Sequence, residues 1–276
     1  MGAEMKLLHT MQAELKNSPV SLATLGLLVS TLEYPEMNVD DELASFRQLE
    51  SVLSRRIQSN SSLLQKINEI SEYFFSELSF SGNVKNYYDH KNSFINEVLN
   101  RRQGIPITLA ILYMEIASRL GIDVAGIGMP GHFLVRAKEK TEIFYIDVFN
   151  KGTVLSKDEC EKMFNDHVST SFTWDDRYLV PVDDKYMIVR LLRNLKYIYL
   201  SEDKTKQAYK VMDLIVGLEP DNLFEIRDRG MVGFRVGHKK QSIKDLKRFL
   251  EKEPVGRPAV EASSVLELLE RNHKKW

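Results

Sequence analysis

The chain has 276 residues, of which 43% are hydrophobic and 28% charged, so it holds enough apolar material for one large core or two smaller ones. Its 38 Lys and Arg residues against 39 Asp and Glu give a net charge of −1. That balance argues against a dedicated nucleic-acid-binding or membrane-surface protein, because both generally carry a large basic excess. The single cysteine, Cys160, excludes an internal disulfide framework and a multi-cysteine zinc site.

No segment of the sequence has the length and apolarity of a membrane span. The longest uncharged stretch, 17–32, contains Pro19 and several hydroxyl side chains, and it falls short of the roughly twenty apolar residues that a bilayer requires. The first sixteen residues carry four charged side chains and no apolar signal core. We therefore expect a cytoplasmic protein without a membrane partner.

The first hundred residues have the periodicity of amphipathic helices. Apolar side chains recur at steps of three and four in 43–57 and again in 63–78. Tyr34-Pro35 separates the first of these helices from the preceding segment, because proline disfavours α geometry in the residue before it. A helical layer that packs on another element is predicted.

A buried central helix is predicted to start at Gly104-Ile105-Pro106, since proline is tolerated at the first helical position. Gly121 is predicted to end it in a left-handed cap. Strand-like runs follow at 124–129, 132–137 and 143–149, with 138–142 as the loop of a hairpin. Ser156 and Glu159 form a capping-box pattern that opens another helix. A buried helix followed by a small antiparallel sheet indicates an α+β fold.

The C-terminal third reads as helical repeats. Pro220 and Pro254 lie 34 residues apart, each just after a helical segment, and this spacing is the period of the tetratricopeptide repeat. In that register Ala208 and Ser242 share one small position. Gly230 fills the small position of the first helix in the second repeat, whereas Lys196 occupies that position in the first repeat and departs from the pattern. We predict two domains, 1–181 and 182–276, the second being helical pairs closed by a capping helix over 258–276.

His132 and Asp147 are the candidate catalytic pair from the residues alone. They would lie on adjacent antiparallel strands, where a carboxylate fixes the tautomer of an imidazole and stabilises its protonated form. A buried histidine hydrogen-bonded to an aspartate also occurs without catalysis, so spacing leaves both interpretations open. The remaining histidines lack metal-ligand spacing, and no glycine-rich phosphate loop precedes a helix, so no metal or cofactor is expected.

Five segments resemble one family when they are taken together. Similar to the bacterial SirB-type proteins are the runs Asn92–Leu99, Arg102–Ile107 and Pro130–Arg136, with Asn86–Asp89 upstream and Phe224–Gly230 downstream. The resemblance covers nearly the whole chain. That family joins a transglutaminase-like region to tetratricopeptide-like repeats. The resemblance implies a fold related to papain-like cysteine enzymes, and it implies no established reaction.

In the transglutaminase-like pattern a nucleophilic Cys opens the central helix, and His and Asp follow on the strands. Matched residue by residue, His132 and Asp147 carry the last two roles and Pro106 stands at the Cys position. Thr108, two residues further, is the remaining hydroxyl candidate, although about 200° of helical rotation should turn it away. Asn92, Gly104, Pro106 and Gly131 are candidates for a pocket or an interaction site.

We therefore predict a non-catalytic interaction or regulatory scaffold that binds a protein or peptide through its helical repeats. The alternative is a hydrolase or acyl-transferase that uses His132 and Asp147 with water or a hydroxyl nucleophile, so enzymatic activity stays undecided, with the balance against it. A third alternative is the binding of RNA or an acidic protein, because Lys and Arg outnumber Asp and Glu by 20 to 15 over 182–276. A solvated helix face is the commoner reason for such an excess.

Overall fold

In the computed structural model, residues 2–167 and 172–273 are described. The chain forms two compact units: Ala13–Leu191, and Met1–Gln12 together with Leu192–Trp276. The domain division at residue 181 stays a prediction of the sequence.

Helices form the first part of the unit Ala13–Leu191, as the periodicity predicts. Ser62 and Gln65 cap one helix reciprocally, since each side chain bonds to the backbone N–H of the other residue. The apolar positions of these helices face inward, where Phe46, Leu53 and Ile67 are buried. The helices of this part are α2 (Leu22–Ser30), α3 (Val39–Arg56) and α4 (Leu63–Ser71), and α4 continues into a π-helical turn, Glu72–Glu77. Helix α1 (Ala3–Glu14) precedes them, and its residues up to Gln12 belong to the other unit.

The predicted central helix is α6 (Pro106–Arg119), and Pro106 opens it. All its residues from Pro106 to Ala117 are buried, because helices lie on one side and the sheet on the other. Gly121 follows with a φ of +76°. Upstream lie strand β1 (Ser81–Gly82), a 3₁₀ turn (His90–Ser93), helix α5 (Ile95–Arg101) and strand β2 (Gln103–Gly104), which pairs in parallel with β1.

A four-stranded antiparallel sheet follows α6 in simple meander order. Its strands are β3 (Asp123–Ile127), β4 (Leu134–Glu139), β5 (Glu142–Asp147) and β6 (Thr153–Leu155). The predicted α+β class is confirmed, and the three predicted strands correspond to β3, β4 and β5. The prediction that His132 lies on a strand is wrong, because β4 begins at Leu134. The predicted five-residue hairpin loop is wrong, because Lys138 pairs with Ile143 and Glu139 with Glu142. Lys140 takes a φ of +54°, which lets a two-residue connection close the hairpin.

Helix α7 (Lys157–His167) opens with the predicted capping box. The backbone N–H of Glu159 donates to Ser156 Oγ at 3.3 Å, and the Ser156 N–H donates to the Glu159 carboxylate at 2.7 Å. A 3₁₀ turn, Asp176–Leu179, then leads to α8 (Asp184–Ser201).

The unit that contains Leu192–Trp276 is called the repeat unit below. It consists of antiparallel helical pairs with small residues at their closest approach. Ala208 and Ser242, the two predicted small positions, are both buried. Gly230 leaves no room for a larger side chain, since an added Cβ would lie 3.0 Å from Leu246. The helices are α9 (Thr205–Leu218), α10 (Leu223–Arg235), α11 (Lys239–Lys252) and α12 (Arg257–His273). The predicted capping helix corresponds to α12, and residues 274–276 lie outside the described residues.

Over residues 2–167 and 172–273, no helix is long and apolar enough to cross a bilayer. Within the same ranges, no three His, Cys, Asp or Glu side chains are grouped in a way that would hold a metal ion.

Candidate functional site

The hairpin of β4 and β5 brings His132 and Asp147 together. Val135 pairs with Ile146, so the residues just before β4 lie opposite the end of β5. A turn closed by the His132 N–H, which donates to the Met129 carbonyl at 3.1 Å, precedes β4, and Gly131 adopts a φ of +77° within it. The imidazole Nε2 of His132 then lies 2.8 Å from Asp147 Oδ1.

Asp147 is a buried carboxylate with several hydrogen-bond donors around it. Its side chain is 1% exposed. Besides His132, the backbone N–H groups of Phe149 and Asn150 donate to Oδ1 at 3.1 Å each, and Asn150 Nδ2 donates to Oδ2 at 2.7 Å. Burial by itself would raise the pKa of Asp147, but the hydrogen bond and charge of His132, followed by the bonds from Asn150, outweigh it and lower this pKa. The carboxylate is therefore held in its ionised form.

The imidazole of His132 is fixed on one side and bordered by aromatic rings on the other. Because Nε2–H donates to a carboxylate, the neutral ring keeps Nδ1 as the nitrogen with a free lone pair. The Phe149 ring meets the imidazole edge-on, with centroids 6.4 Å apart, and Tyr87 meets Phe149 in the same way at 6.1 Å. The side chain of His132 is 15% exposed. The ring is therefore largely withdrawn from solvent.

Arg190 of α8 is a second polar contact of this site. Its Nη2 donates to the His132 carbonyl at 3.3 Å, and its guanidinium lies over the Phe133 ring at 5.0 Å from the centroid. No signal in the sequence points to Arg190, since it follows His132 by 58 positions and lies on a separate helix. Asn150, by contrast, follows Asp147 in a polar turn, and the preference of Asn and Asp for such turns would have identified it.

The start of α6 is held by Thr108 and Gly104. Thr108 Oγ1 accepts from the Ile105 N–H at 3.1 Å and donates to the Asn92 carbonyl at 2.9 Å, and its side chain is fully buried. A Cβ at Gly104 would lie 2.8 Å from that same hydroxyl oxygen. These contacts fix the N-terminus of the helix at Pro106. Among the described residues, no hydrogen bond joins Thr108 to His132.

Asn92 organises the loop that carries Tyr87. Its Oδ1 accepts from Asn83 Nδ2 at 3.0 Å, and its Nδ2 donates to the carbonyls of Asn86 at 2.7 Å and Tyr87 at 3.2 Å. The Asn86 N–H donates back to Asn83 Oδ1 at 3.0 Å. Two amide side chains thus supplement the backbone hydrogen bonds of this loop. They position Tyr87 against Phe149, the ring that borders His132.

The comparisons with known proteins agree with this architecture. A family model described as the transglutaminase-like superfamily matches residues 40–193, more than half of the chain, and a tetratricopeptide-repeat model matches 195–269. The chain belongs to the transglutaminase-like superfamily. Its transglutaminase-like domain therefore contains the His132–Asp147 pair and Pro106, and the predicted tetratricopeptide-like region is confirmed.

Relatives of this transglutaminase-like protein occur in bacteria and in animals. A UPF0162 protein of Xylella fastidiosa strain Temecula1 is 33% identical over 246 residues, which cover 88% of this chain and 87% of that protein. F-box only protein 21 of Mus musculus is 32% identical over 205 residues, or 70% of this chain and 31% of its own length.

Among solved structures, menin has a TM-score of 0.54 at 12% identity. The match covers 100% of this chain and 67% of the menin chain. A likeness at this identity shows a shared fold and nothing further.

Cys160 lies on α7, outside this arrangement. It is fully buried within the apolar cluster that contains Ile127 and Phe164. Burial, followed by the negative charges of Glu159 and Asp147, raises the pKa of the Cys160 thiol to about 12. Because the thiolate is the reactive form, we expect the Cys160 thiol to be unreactive in this environment.

Alkylation provides a direct test of the Cys160 environment. We expect iodoacetamide at pH 8 to modify the native chain at least about tenfold more slowly than the chain in denaturant. Since the sequence has one cysteine, intact-mass measurement reports this site alone. Rapid stoichiometric modification of the folded protein would show that the thiol is accessible and that our description of α7 is wrong.

Proposed function

We propose that this protein is a non-catalytic interaction or regulatory scaffold. In it, a transglutaminase-like domain without its nucleophile is joined to repeats that bind a protein or peptide. The observation that carries the proposal is the residue at the start of α6. In the resemblance described above this position belongs to the nucleophilic Cys, and here it is Pro106. Proline offers neither a nucleophilic side chain nor an N–H for an oxyanion.

The other nucleophile candidates have structural roles that support this proposal. The Thr108 hydroxyl already bonds to Ile105 and to the Asn92 carbonyl. The Cys160 thiol is buried with a raised pKa. Without a nucleophile, a His–Asp pair retains little of the acceleration that a complete triad provides.

The surroundings of His132 and Asp147 are consistent with a structural pair. Asp147 satisfies the N–H groups of the turn after β5, and His132 joins that turn to the segment before β4. A network of this kind holds two chain segments in one arrangement without any reaction. Under this proposal the pair maintains the edge of the domain.

The repeat unit supplies the surface that the proposal requires. Tetratricopeptide repeats are built from stacked helical pairs, and their extended faces generally bind other proteins. Tyr197 on α8 and Phe224 on α10 are 60% and 57% exposed. Large exposed aromatic side chains are enriched at protein interfaces. The fold likeness to menin, whose structure is described as revealing the binding site for the mixed lineage leukemia protein, is compatible with such a role.

The proposal also includes a cytoplasmic location for this protein and its membership of the SirB-type family.

Affinity capture with the full chain tests the proposal. We expect the double variant Tyr197→Ser with Phe224→Ser to lose partners that the wild type retains, as measured by quantitative mass spectrometry. The matched control is Ile143→Ser, which likewise replaces a large apolar side chain by serine, at a position 45% exposed on β5. Identical partner profiles for all three proteins would count against the repeats as a platform. Turnover of an activated ester or amide that disappears in His132→Ala would overturn the non-catalytic assignment.

A further inference from the structure

A separate cavity of about 570 Å³ lies within the unit Ala13–Leu191. It is enclosed by the loop before α2, the second half of α6, one residue of β3 and the first residue of α8. Its rim is exposed at Asn17, Ser18 and Pro19, whereas Leu22 and Met114 line it as buried residues. The volume falls within the range of roughly 300–1,000 Å³ that is typical of small-molecule sites.

The cation that lines this cavity is already bound by carboxylates. Arg119 Nε donates to Glu115 Oε1 at 2.8 Å, and Arg119 Nη1 lies 3.4 Å from a carboxylate oxygen of Glu50. Glu115 is 8% exposed, and its Oε2 also accepts from Ser21 Oγ at 3.2 Å. The guanidinium therefore has two anionic partners within the protein, and it does not attract an anionic ligand to the cavity.

The side chain of Asp184, the third charged residue of the lining, has no hydrogen bond or ion pair with any described residue. It is half-buried at the start of α8. Burial, and then the neighbouring charge of Asp183, raises the pKa of Asp184. A carboxylate withdrawn from water without a partner is unfavourable, and a cation placed beside it would relieve this cost. Because Arg119 is paired with Glu115, Asp184 leaves the lining with an excess negative charge, which favours a positively charged ligand.

The uncharged part of the lining narrows the class of cation. Quaternary ammonium groups are generally held by aromatic rings, and the lining residues include none. A primary ammonium donates three hydrogen bonds. Acceptors for them are the Asp184 carboxylate and the hydroxyl groups of Ser18 and Ser118. Ser21 Oγ already accepts from Thr24, and Glu115 already accepts from Arg119, Ser21 and the Ala23 N–H. An aliphatic wall completes the cavity: Pro19, Val20, Leu22, Met114 and Val124.

We propose that this cavity binds an aliphatic primary amine, with its ammonium group at Asp184 and its hydrocarbon chain along the aliphatic wall. This site is separate from the His132–Asp147 pair and does not depend on the proposed scaffold function. The amine is supplied either by a small free molecule or by a lysine side chain, and both share the chemistry that the cavity recognises.

Calorimetric titration of the full chain tests the proposal with two amine probes and two matched controls. The probes are 1,5-diaminopentane for a free amine and Nα-acetyl-lysine methylamide for a lysine side chain. The controls are 1,5-pentanediol, which lacks the charge, and glutarate, which reverses it. We expect saturable binding of at least one probe and of neither control. The probe that binds more tightly identifies the source of the amine.

Variants assign the binding to the cavity. Asp184→Asn is expected to weaken amine binding at least about tenfold, the effect of losing one charge-assisted contact. Asp41→Asn, an identical change at an exposed residue of α3, should leave it unchanged. Asp184→Asn should melt at or above the wild-type temperature at pH 7 without ligand, which excludes misfolding as the cause. Equal affinity of wild type and Asp184→Asn, or equal binding of 1,5-pentanediol, would overturn the proposal.

Discussion

Replacing Arg229 by methionine is expected to destabilise the repeat unit by about 3–5 kcal/mol. Arg229 on α10 joins three consecutive helices. Its Nε and Nη2 donate to the two carboxylate oxygens of Asp245 on α11 at 2.8 and 2.9 Å, and its Nη1 donates to Asp213 on α9 at 2.6 Å. The arginine side chain is 11% exposed and that of Asp245 is 4% exposed. The variant would leave a buried carboxylate whose remaining partner is Gln241.

The measurement is urea unfolding together with hydrogen exchange of peptides from α9, α10 and α11, because a chain with two compact units need not unfold in one step. Arg235→Met is the matched control: its pair with Asp203 is solvent-exposed, and its loss should cost at most about 1 kcal/mol. The double variant Arg229→Met with Asp245→Leu should recover part of the loss, because it removes the unpaired charge as well. Equal effects of Arg229→Met and Arg235→Met would contradict the buried network.

The sequence predicts those features of the fold that depend on neighbouring residues. Pro106 marks the start of α6, and Ser156 with Glu159 marks the start of α7, since proline and capping side chains act within one helical turn. The 34-residue spacing of Pro220 and Pro254 identifies the repeats in the same way. The proximity of His132 and Asp147 follows from the hairpin that connects them.

Features that depend on contacts between distant segments cannot be predicted from neighbouring residues. Arg190 contacts His132 from a helix 58 positions later, and Asp184 closes the cavity with residues of α6 and the loop before α2. The sequence does not predict the hairpin register, because the polar segment 138–142 has the composition of a loop. In the structure, the ends of this segment pair as parts of β4 and β5. Tertiary packing decides where such a strand ends, and a single sequence carries no periodic signal of that packing.

Replacing Asp147 by alanine is expected to destabilise the transglutaminase-like domain by about 3–5 kcal/mol. The change removes the acceptor for the N–H groups of Phe149 and Asn150, for Asn150 Nδ2 and for the His132 ring. Asp147→Asn keeps one acceptor oxygen and should cost less, about 1–3 kcal/mol. Hydrogen exchange of the peptides that contain β4 and β5 measures the loss locally, and Asp158→Ala, a change at an exposed residue of α7, is the control.

The pH dependence of this stabilisation follows from the lowered pKa of Asp147. In the unfolded chain an aspartate has a pKa of about 3.9. The folded-state value lies below it, so the ionised carboxylate stabilises the fold at pH values above about 3.9, and this contribution disappears as the pH falls through the folded-state pKa. The difference in unfolding free energy between wild type and Asp147→Asn should therefore persist at neutral pH and shrink as the pH falls below about 3.9. A difference that grows over that acid range would reverse the sign of the shift and contradict the geometry at His132.

The same variants separate a structural pair from a functional one. If His132 and Asp147 maintain the domain edge, Asp147→Asn should lower stability and leave partner capture by the repeats unchanged at temperatures where the chain stays folded. His132→Ala should cost less than Asp147→Ala, because the imidazole is one of four donors to a carboxylate that the turn still holds. A His132→Ala variant with undiminished stability but altered partner binding would mean that the ring acts on a ligand rather than on the fold.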